Sequence, residues 1–380
     1  MRLTRRAAAK TVLSTALVVC VAYVAATTAT IDRIACELLR PGVYRIEFTP
    51  PAASGPVAIY TSTSPDAIDR PQPVVSDAHF PVDITIPGDR QATGTGSASR
   101  IYFHLKPTNG RARVTAVRRL PLEGAVNFRD VGGYPTNDGR FVRWGVVYRS
   151  EQLADLTAND YADLNRLGVR LECDLRTPGE RGRKPTRWQG ATPEVLYAPI
   201  LRDADLPATP AALPKEVFLK RLAEAQSGSD AQLGGSYDRF VSEFVDSYAQ
   251  VFHGIARGTG ASVTHCTAGR DRTGVFSAVL LTALGVPWDV VVEDYLLTDR
   301  YRLTDADVER TRREYQQRYG LDELPPAAAV RAMRALHAST MERTFATIGR
   351  TYGSFDGFVR NGLKMTPEDL RALKARLLTD

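Results

Sequence analysis

The chain contains 380 residues, of which 43% are hydrophobic and 24% are charged. This composition is typical of globular proteins and is sufficient for two cores, so it excludes the disordered and fibrous classes. Four of the positive charges behind the formal net charge of +6 lie within the first ten residues, so the rest of the chain carries only +2 and indicates no nucleic-acid-binding surface.

The first 29 residues have the layout of an export signal. Basic residues precede an apolar run from Thr11 to Ala26, and small residues follow where a signal peptidase could cut. The pair Arg5 and Arg6 has the spacing of a twin-arginine signal, with an ordinary secretory signal or an uncleaved anchor as alternatives. Cys20 is interpreted as part of the apolar run. We therefore expect an exported protein, in the periplasm, in the cell envelope or outside the cell, with no stable membrane span after cleavage.

Three cysteines remain beyond this segment, namely Cys36, Cys173 and Cys266. An odd and sparse set of cysteines does not indicate a disulfide-stapled scaffold, so at least one thiol should be free.

Residues 30–120 alternate between apolar and polar side chains in the manner of half-buried strands. The segments VAIYTST, PVDITIP, RIYFHLKP and RVTAV each show this pattern, and turn-rich stretches such as PPAASGP separate them. About five short strands without helical periodicity predict a small all-β sandwich. The strand rhythm loosely resembles that of fibronectin type III domains, for which a spacer or packing role is expected.

Residues 121–380 have a different pattern, in which short strands alternate with helices. Strand-like segments such as GVRLECDLRT and ASVTHC, followed by the helical run VFSAVLLTALGV, predict an α/β domain with a central, mostly parallel sheet flanked by helices. From Val290 onward the sequence predicts successive amphipathic helices. Leucines at helical spacing there are expected in the core, namely Leu363, Leu370, Leu373 and Leu377.

An insertion at residues 203–240 separates two of the predicted strands. It has a Pro/Ala-rich beginning, one helical stretch and Gly/Ser-rich joints. Long insertions of this kind in compact domains often act as lids, and a poorly ordered surface segment is the alternative interpretation.

The segment HCTAGRDRTG, residues 265–274, combines a thiol, two guanidinium groups and a carboxylate. If a strand ends at His265 and a helix begins near Thr273, the loop between them directs unpaired backbone N–H groups at one spot, which favours an anion. The amides and side chains expected to surround a phosphate there belong to Thr267, Ala268, Gly269, Arg270, Asp271 and Arg272.

The same positive field should lower the pKa of the Cys266 thiol and make it a nucleophile. Arg272 can hold two phosphate oxygens through its planar fork. Thr273 can donate its hydroxyl to the sulfur, and His265 is expected to fix the backbone of the cysteine.

The complete pattern HC-x-x-G-x-x-R-T resembles the signature loop of the protein tyrosine phosphatase superfamily. Together with NFRDVGGY (127–134), YRSEQL (148–153) and DLRTPGER (174–181), it is similar to the bacterial tyrosine and lipid phosphatases of the mycobacterial protein tyrosine phosphatase B type. The resemblance implies hydrolysis of phosphate monoesters through a phosphocysteine, without a cofactor. Protein phosphotyrosine is the expected substrate, with phosphoserine, phosphothreonine and phosphoinositides as further candidates.

Two aspartates are candidates for the group that protonates the leaving oxygen. Asp174 is slightly favoured by the family resemblance, with an ion pair to Arg176 or Arg181 as its alternative role. Asp271, inside the loop, is kept as a second acid or water-orienting group.

Supporting residues around the site are expected from the other motifs, namely Arg129, Asp130 and Arg149. Related lipid-active enzymes usually carry lysine where this chain has Arg270, and the two cations differ in reach and hydrogen-bonding shape.

Three other interpretations remain open. The protein could be a phosphate-binding module with an inactive loop, an arsenate reductase or a sulfurtransferase-like thiol enzyme. A metal enzyme is not expected, because the five histidines show no HExxH or paired-ligand spacing.

Overall fold

The structure is a computed structural model that describes residues 34–49, 54–87, 100–206, 214–226 and 234–379. The strands in these ranges are β1 (Ile34–Arg40), β2 (Val43–Phe48), β3 (Val57–Ser62), β4 (Val82–Thr85), β5 (Tyr102–Pro107), β6 (Arg113–Ala116), β7 (Arg129–Asp130), β8 (Val147–Ser150), β9 (Val169–Asp174), β10 (Glu194–Tyr197) and β11 (Ala261–His265). The predicted export signal and Cys20 lie outside the described residues, so export stays a prediction.

The helices in the same ranges all follow β8 in the sequence. They are α1 (Ala158–Arg166), α2 (Pro178–Arg183), α3 (Lys215–Gln226), α4 (Gly234–Ser242), α5 (Val245–Arg257), α6 (Arg272–Ala283), α7 (Trp288–Arg302), α8 (Asp305–Tyr319), α9 (Ala327–Arg334), α10 (Ala338–Tyr352), α11 (Phe355–Gly357) and α12 (Pro367–Leu377). No helix within the described part of the chain combines the length and the apolar character that a membrane span requires.

The N-terminal region forms two three-stranded antiparallel sheets, with strand orders β1-β2-β4 and β3-β5-β6. Alternate residues of both sheets share one hydrophobic cluster, in which Tyr44 and Ile46 of one sheet meet Ile59 and Phe103 of the other. The predicted all-β region is therefore present, with six strands instead of about five. Its likeness to fibronectin type III domains stays a prediction.

The second region is built on a five-stranded sheet with the order β10-β9-β11-β8-β7. The first four of these strands are parallel and β7 pairs antiparallel with β8, so the predicted mostly parallel sheet is confirmed. Strand β11 is central and all five of its residues are buried. The carboxyl end of β11 is therefore flanked by the carboxyl ends of β8 and β9, where open α/β sheets usually bind ligands.

Helices from the C-terminal part complete the main core. Helix α6 follows β11 and is buried on nearly every side. Of the leucines predicted in the core, Leu363, Leu373 and Leu377 are fully buried, and Leu370 packs partly buried against the same cluster. Helical periodicity was sufficient to predict this packing, because an amphipathic helix must bury its apolar stripe.

Two ordered helices occupy part of the predicted insertion. Helix α3 packs against α9, with Phe218 and Leu222 buried beside Leu303 and Val330. Helix α4 packs against α10 and α6. The described part of the insertion is therefore joined to the rest of the domain by hydrophobic contacts, and a role as a lid stays a prediction.

The two regions are joined by a buried ion pair. Arg100, which precedes β5, donates to the carboxylate of Asp130 in β7, and the side chains are 6% and 0% exposed. Arg100 also donates to the Val117 carbonyl at 3.1 Å. The Asp130 carboxylate in turn accepts the backbone N–H groups of Gly132 and Gly145 at 2.7 and 2.8 Å. The second region therefore supplies the only counter-charge that Arg100 contacts among the described residues.

We predict that Asp130→Asn lowers the free energy of unfolding by about 3–5 kcal/mol, because it leaves the buried Arg100 without a counter-ion. Urea unfolding followed by circular dichroism measures the change. The matched control is Asp138→Asn, whose carboxylate is 54% exposed and pairs with Arg140, and it should cost less than about 1 kcal/mol. Equal losses for the two variants would contradict the prediction.

Candidate active site

The segment with the predicted site residues forms a loop between a strand and a helix. Strand β11 ends at His265, Cys266 is the first residue after it, and α6 begins at Arg272. The first amides of α6 have no partner within the helix, and the helix begins six residues after the cysteine. The strand–loop–helix arrangement expected from the sequence is therefore present.

The Cys266 thiol is only 2% exposed. Burial by itself raises the pKa of this thiol, but the Arg272 guanidinium and the hydroxyl and N–H groups of Thr273 outweigh burial and lower the pKa below its ordinary value of 9.0. The Thr273 hydroxyl is buried and has no oxygen or nitrogen partner among the described residues. These surroundings favour a thiolate, which is a nucleophile.

The two other described cysteines have the opposite character. Burial raises the pKa of Cys36 and of Cys173 to about 12 in each case. Both residues therefore remain thiols at neutral pH, and neither one lies in the loop.

Gly269 is at the apex of the loop, with φ at +65°. A Cβ atom at this position would lie 2.5 Å from the backbone of Ser150, at the end of β8. Both the left-handed conformation and the close approach to Ser150 require glycine. The Gly269 carbonyl accepts hydrogen bonds from Arg149 at 3.0 Å and from Asn127 at 3.1 Å.

Arg272 is held by a carboxylate that the sequence analysis did not select. Its two terminal nitrogens donate to Glu180 of α2 at 2.7 and 2.8 Å. Glu180 also accepts a hydrogen bond from the Thr267 hydroxyl, which lies in the loop. Burial raises the pKa of Glu180, but Arg272 and Thr267 outweigh it and lower the pKa to about 2. Glu180 is therefore ionised at neutral pH and orients the guanidinium beside the thiol.

His265 lies in a buried hydrogen-bond network on the side of β9. Its Nε2 atom is 2.8 Å from Glu172, and its Nδ1 atom is 4.0 Å from Asp174. Burial lowers the pKa of His265, but the two carboxylates outweigh burial and raise it. The two carboxylates therefore stabilise the protonated form of the imidazole.

Glu172, Asp174 and His265 also have ligand atoms within 4.8 Å of one another, a spacing that a metal ion could use. However, Glu172 already accepts hydrogen bonds from Trp188 and Thr186, and Asp174 pairs with Arg176. A metal ion at this place would compete with Arg176 and with the hydrogen bonds that Glu172 already accepts, so the donor set fits a hydrogen-bond network better than a metal site.

The two candidate acids have different surroundings. Asp174 is 1% exposed and accepts three hydrogen bonds from the Arg176 guanidinium and one from the Arg176 backbone N–H. Burial raises its pKa, but His265 and Arg176 outweigh burial and lower it. The ion pair that the sequence offered as the alternative role of Asp174 is therefore present.

Asp271 lies in the loop itself and is partly exposed, with 31% of its side chain accessible. It accepts a hydrogen bond from the Tyr237 hydroxyl at 2.6 Å, and Tyr237 in turn contacts the Tyr295 hydroxyl at 3.0 Å. Tyr237 belongs to α4, so the insertion contributes directly to the site.

The remaining loop side chains point in different directions. Arg270 donates to the Arg334 carbonyl at 2.6 Å, and its Nε atom lies 3.7 Å from Asp271. Thr267 is exposed and Ala268 is half-buried at the mouth of the loop.

The predicted supporting residues separate into two groups. Arg129 and Arg149 both pair with Asp294 of α7. Arg149 also donates a hydrogen bond to the Gly269 carbonyl in the loop. Asp130 lies beside them in β7, but its side chain contacts Arg100 of the N-terminal region rather than the loop.

Several residues around the site were not selected from the sequence, among them Asn127, Glu180, Tyr237 and Asp294. Asn127 and Glu180 are inside the motifs NFRDVGGY and DLRTPGER, so these motifs already indicated that the segments around them belong to the site. Tyr237 and Asp294 lie in helices without a recognisable motif, and only the packing of α4 and α7 brings them to the loop.

The second region of the chain is similar in sequence to known proteins. The model of the tyrosine phosphatase family matches residues 120–379. A protein of Cupriavidus necator named as a candidate tyrosine-protein phosphatase is 29% identical over 263 residues, which cover 68% of this chain and 89% of the relative. The triple specificity protein phosphatase PtpB of Mycobacterium tuberculosis is 32% identical over 276 residues, or 65% of this chain and 94% of the relative.

A tyrosine-protein phosphatase of Nostoc commune is 27% identical over 235 residues, covering 60% of this chain and 73% of the relative. The matched region contains the loop after β11 and each of the motifs from which the sequence predicted the resemblance. The chain therefore belongs to the tyrosine phosphatase family.

Proposed function

We propose that this phosphatase hydrolyses phosphate monoesters through a phosphocysteine on Cys266, with protein phosphotyrosine as its main substrate. The observation that carries the proposal is the buried Cys266 thiol with a lowered pKa, at the end of a central strand and beside Arg272. Phosphoserine, phosphothreonine and phosphoinositide monoesters are secondary candidates, and the name of the mycobacterial relative supports including them in the tests.

In the first step, the thiolate attacks the phosphorus atom and the ester P–O bond breaks. The loop amides and Arg272 stabilise the negative charge on the phosphoryl oxygens. An acid donates a proton to the departing oxygen, so a neutral tyrosine leaves. In the second step, water attacks the phosphocysteine, the P–S bond breaks and the same carboxylate accepts a proton from the water. The Thr273 hydroxyl stabilises the departing sulfur.

Asp271 is the better supported of the two acids. It is partly exposed and lies in the loop, whereas each oxygen of Asp174 is already occupied by Arg176. In this proposal Asp174 has a structural role. It pairs with Arg176 and lies close to His265, and through these two residues it helps to position the loop. Tyr237 fixes the orientation of the Asp271 carboxylate.

The contacts of Arg270 favour protein substrates over lipid substrates. Part of its guanidinium is engaged by the Arg334 carbonyl, so it is less free than a flexible lysine to contact a second phosphate on an inositol ring.

The test is phosphate release, without added metal, from a phosphotyrosine peptide, a phosphoserine peptide and phosphatidylinositol monophosphate. We expect the fastest release from phosphotyrosine, and a loss of at least about 10³-fold in Cys266→Ser, because the nucleophile is removed. Cys36→Ser is the matched control and should retain activity. No release from any substrate by the folded protein would refute the proposal and favour a phosphate-binding module.

The lowered pKa of Cys266 predicts that alkylation begins at a lower pH than for an ordinary thiol. The rate of iodoacetamide labelling at Cys266 should rise with a midpoint below pH 9, because only the thiolate reacts. Thr273→Ala removes a donor to the thiolate, so its midpoint should move upward, whereas Thr273→Ser should leave it in place. Cys36 and Cys173 should label slowly below pH 9. A midpoint at or above pH 9 in the native protein would contradict the structure.

The two aspartates can be separated by the chemistry of the leaving group. Asp271→Asn should lower kcat for phosphotyrosine by about 10²-fold, and by much less for an aryl phosphate whose leaving group needs no proton. Asp174→Asn should lower both rates by similar factors, since it disturbs the loop rather than proton transfer. If the loss of activity depends on the leaving group only in Asp174→Asn, then Asp174 is the acid and Asp271 is not.

A further inference from the structure

The carbonyl of Gly269 in the phosphate loop accepts hydrogen bonds from two side chains. Arg149 donates to it from β8 at 3.0 Å, and Asn127 donates from the segment before β7 at 3.1 Å. The Arg149 side chain is fully buried, and so is Asn127. Two buried donors therefore hold one loop carbonyl from the side of the sheet.

Because the peptide bond is planar, the contacts to the Gly269 carbonyl also fix the direction of the N–H group of Arg270. In a trans peptide the carbonyl of Gly269 and the N–H of Arg270 point in opposite directions. When the carbonyl is held toward the sheet, the N–H of Arg270 must point away from it. An N–H that points away from the sheet can donate to a phosphate oxygen bound inside the loop.

We propose that Arg149, Asn127 and Asp294 are positioning residues that fix the Gly269–Arg270 peptide so that its N–H faces the bound phosphate. The inference rests on the proposed function, because it concerns the same loop. We name these three residues the carbonyl clamp.

Each member of the carbonyl clamp is itself oriented by a neighbour. The Asn127 side-chain oxygen accepts a hydrogen bond from Arg129, which leaves the amide nitrogen of Asn127 to face Gly269. The Arg149 guanidinium donates to Asp294 at 2.6 Å through one terminal nitrogen and to Gly269 through the other. Lysine could not make both contacts in this fixed geometry.

Asp294 provides the counter-charge that allows the clamp to be buried. Its carboxylate pairs with Arg149 and Arg129 and accepts a hydrogen bond from the Tyr134 hydroxyl at 3.0 Å. Burial raises the pKa of Asp294, but the two arginines outweigh burial and lower it. Without this carboxylate, two buried cations would repel each other beneath the loop.

The test measures oxyanion binding by the full chain in a Cys266→Ser background, so that turnover does not contribute. Tungstate is the probe, and isothermal titration calorimetry gives its Kd. We expect Arg149→Lys to weaken tungstate binding by about 10-fold or more, because one charge-assisted hydrogen bond to the peptide is lost. In the active enzyme the same substitution should raise KM and lower kcat together.

Arg118→Lys is the matched control. Arg118 also donates to backbone carbonyls, those of Asp130 and Gly132, but neither belongs to the phosphate loop. This variant should bind tungstate as the parent protein does. Thermal unfolding is recorded for every variant, so that Kd values are compared only between folded proteins.

Asn127→Asp provides an independent test if Arg149→Lys does not fold. It keeps an acceptor for Arg129 and leaves the pair of Arg149 and Asp294 in place, but it replaces the donor to Gly269 by an acceptor. We expect tungstate binding about 10-fold weaker. An unchanged Kd in either folded variant would overturn the carbonyl clamp.

The outcomes also separate this inference from the proposed function. If the protein with Cys266 intact releases no phosphate from any ester, yet the Cys266→Ser protein binds tungstate more tightly than the clamp variants do, the proposed function fails and the carbonyl clamp stands. If the parent protein does not bind tungstate at all, the carbonyl clamp is overturned as well.

Discussion

A thiolate inside a protein is stable only where positive charge and hydrogen-bond donors surround it, and the second region of this chain is arranged around that requirement. Cys266 is 2% exposed, so desolvation opposes its ionisation. Arg272 and Thr273 overcome this opposition because the helix that follows the loop places both of them beside the sulfur. The central, buried position of β11 then holds the sulfur where these groups can act on it.

A concentration of positive groups needs carboxylates to balance it, and these come from separate elements. Glu180 of α2 holds Arg272, Glu172 and Asp174 of β9 hold His265, and Asp294 of α7 holds Arg149. All of these carboxylates are buried or nearly so, where an unpaired charge would be strongly unfavourable. The loop is therefore built as a set of matched charges, and removal of one partner should affect its neighbours.

The same principle links the site to the rest of the chain. Arg129 and Asp130 are adjacent in β7, yet their side chains point to opposite neighbours, Asp294 on the side of the loop and Arg100 of the N-terminal region. This opposition follows from the alternation of side chains along a strand. The N-terminal region thus contacts the strand that supports the site, which is a structural role consistent with a packing module.

The position of the loop between β11 and α6 could be predicted from the sequence because it depends on local geometry. A strand that ends at His265 and a helix that begins within the next seven residues leave few other places for the amides and for Arg272. The family resemblance could likewise be predicted, since its motifs are contiguous. Residues such as Asn127 and Glu180 were inside those motifs, but their partners could not be inferred from spacing alone.

The sequence by itself therefore determined the strand–loop–helix segment around Cys266, the alternation of strands and helices and the leucines of the C-terminal core, since each of these depends on neighbouring residues or on periodicity. Only the tertiary structure decided which carboxylate meets which cation. It paired Asp174 with Arg176, it brought Tyr237 from the insertion to Asp271, and it placed Asp294 of α7 beneath the loop. The physical reason is that ion pairs and hydrogen bonds form between side chains that packing brings together, whatever their separation along the chain.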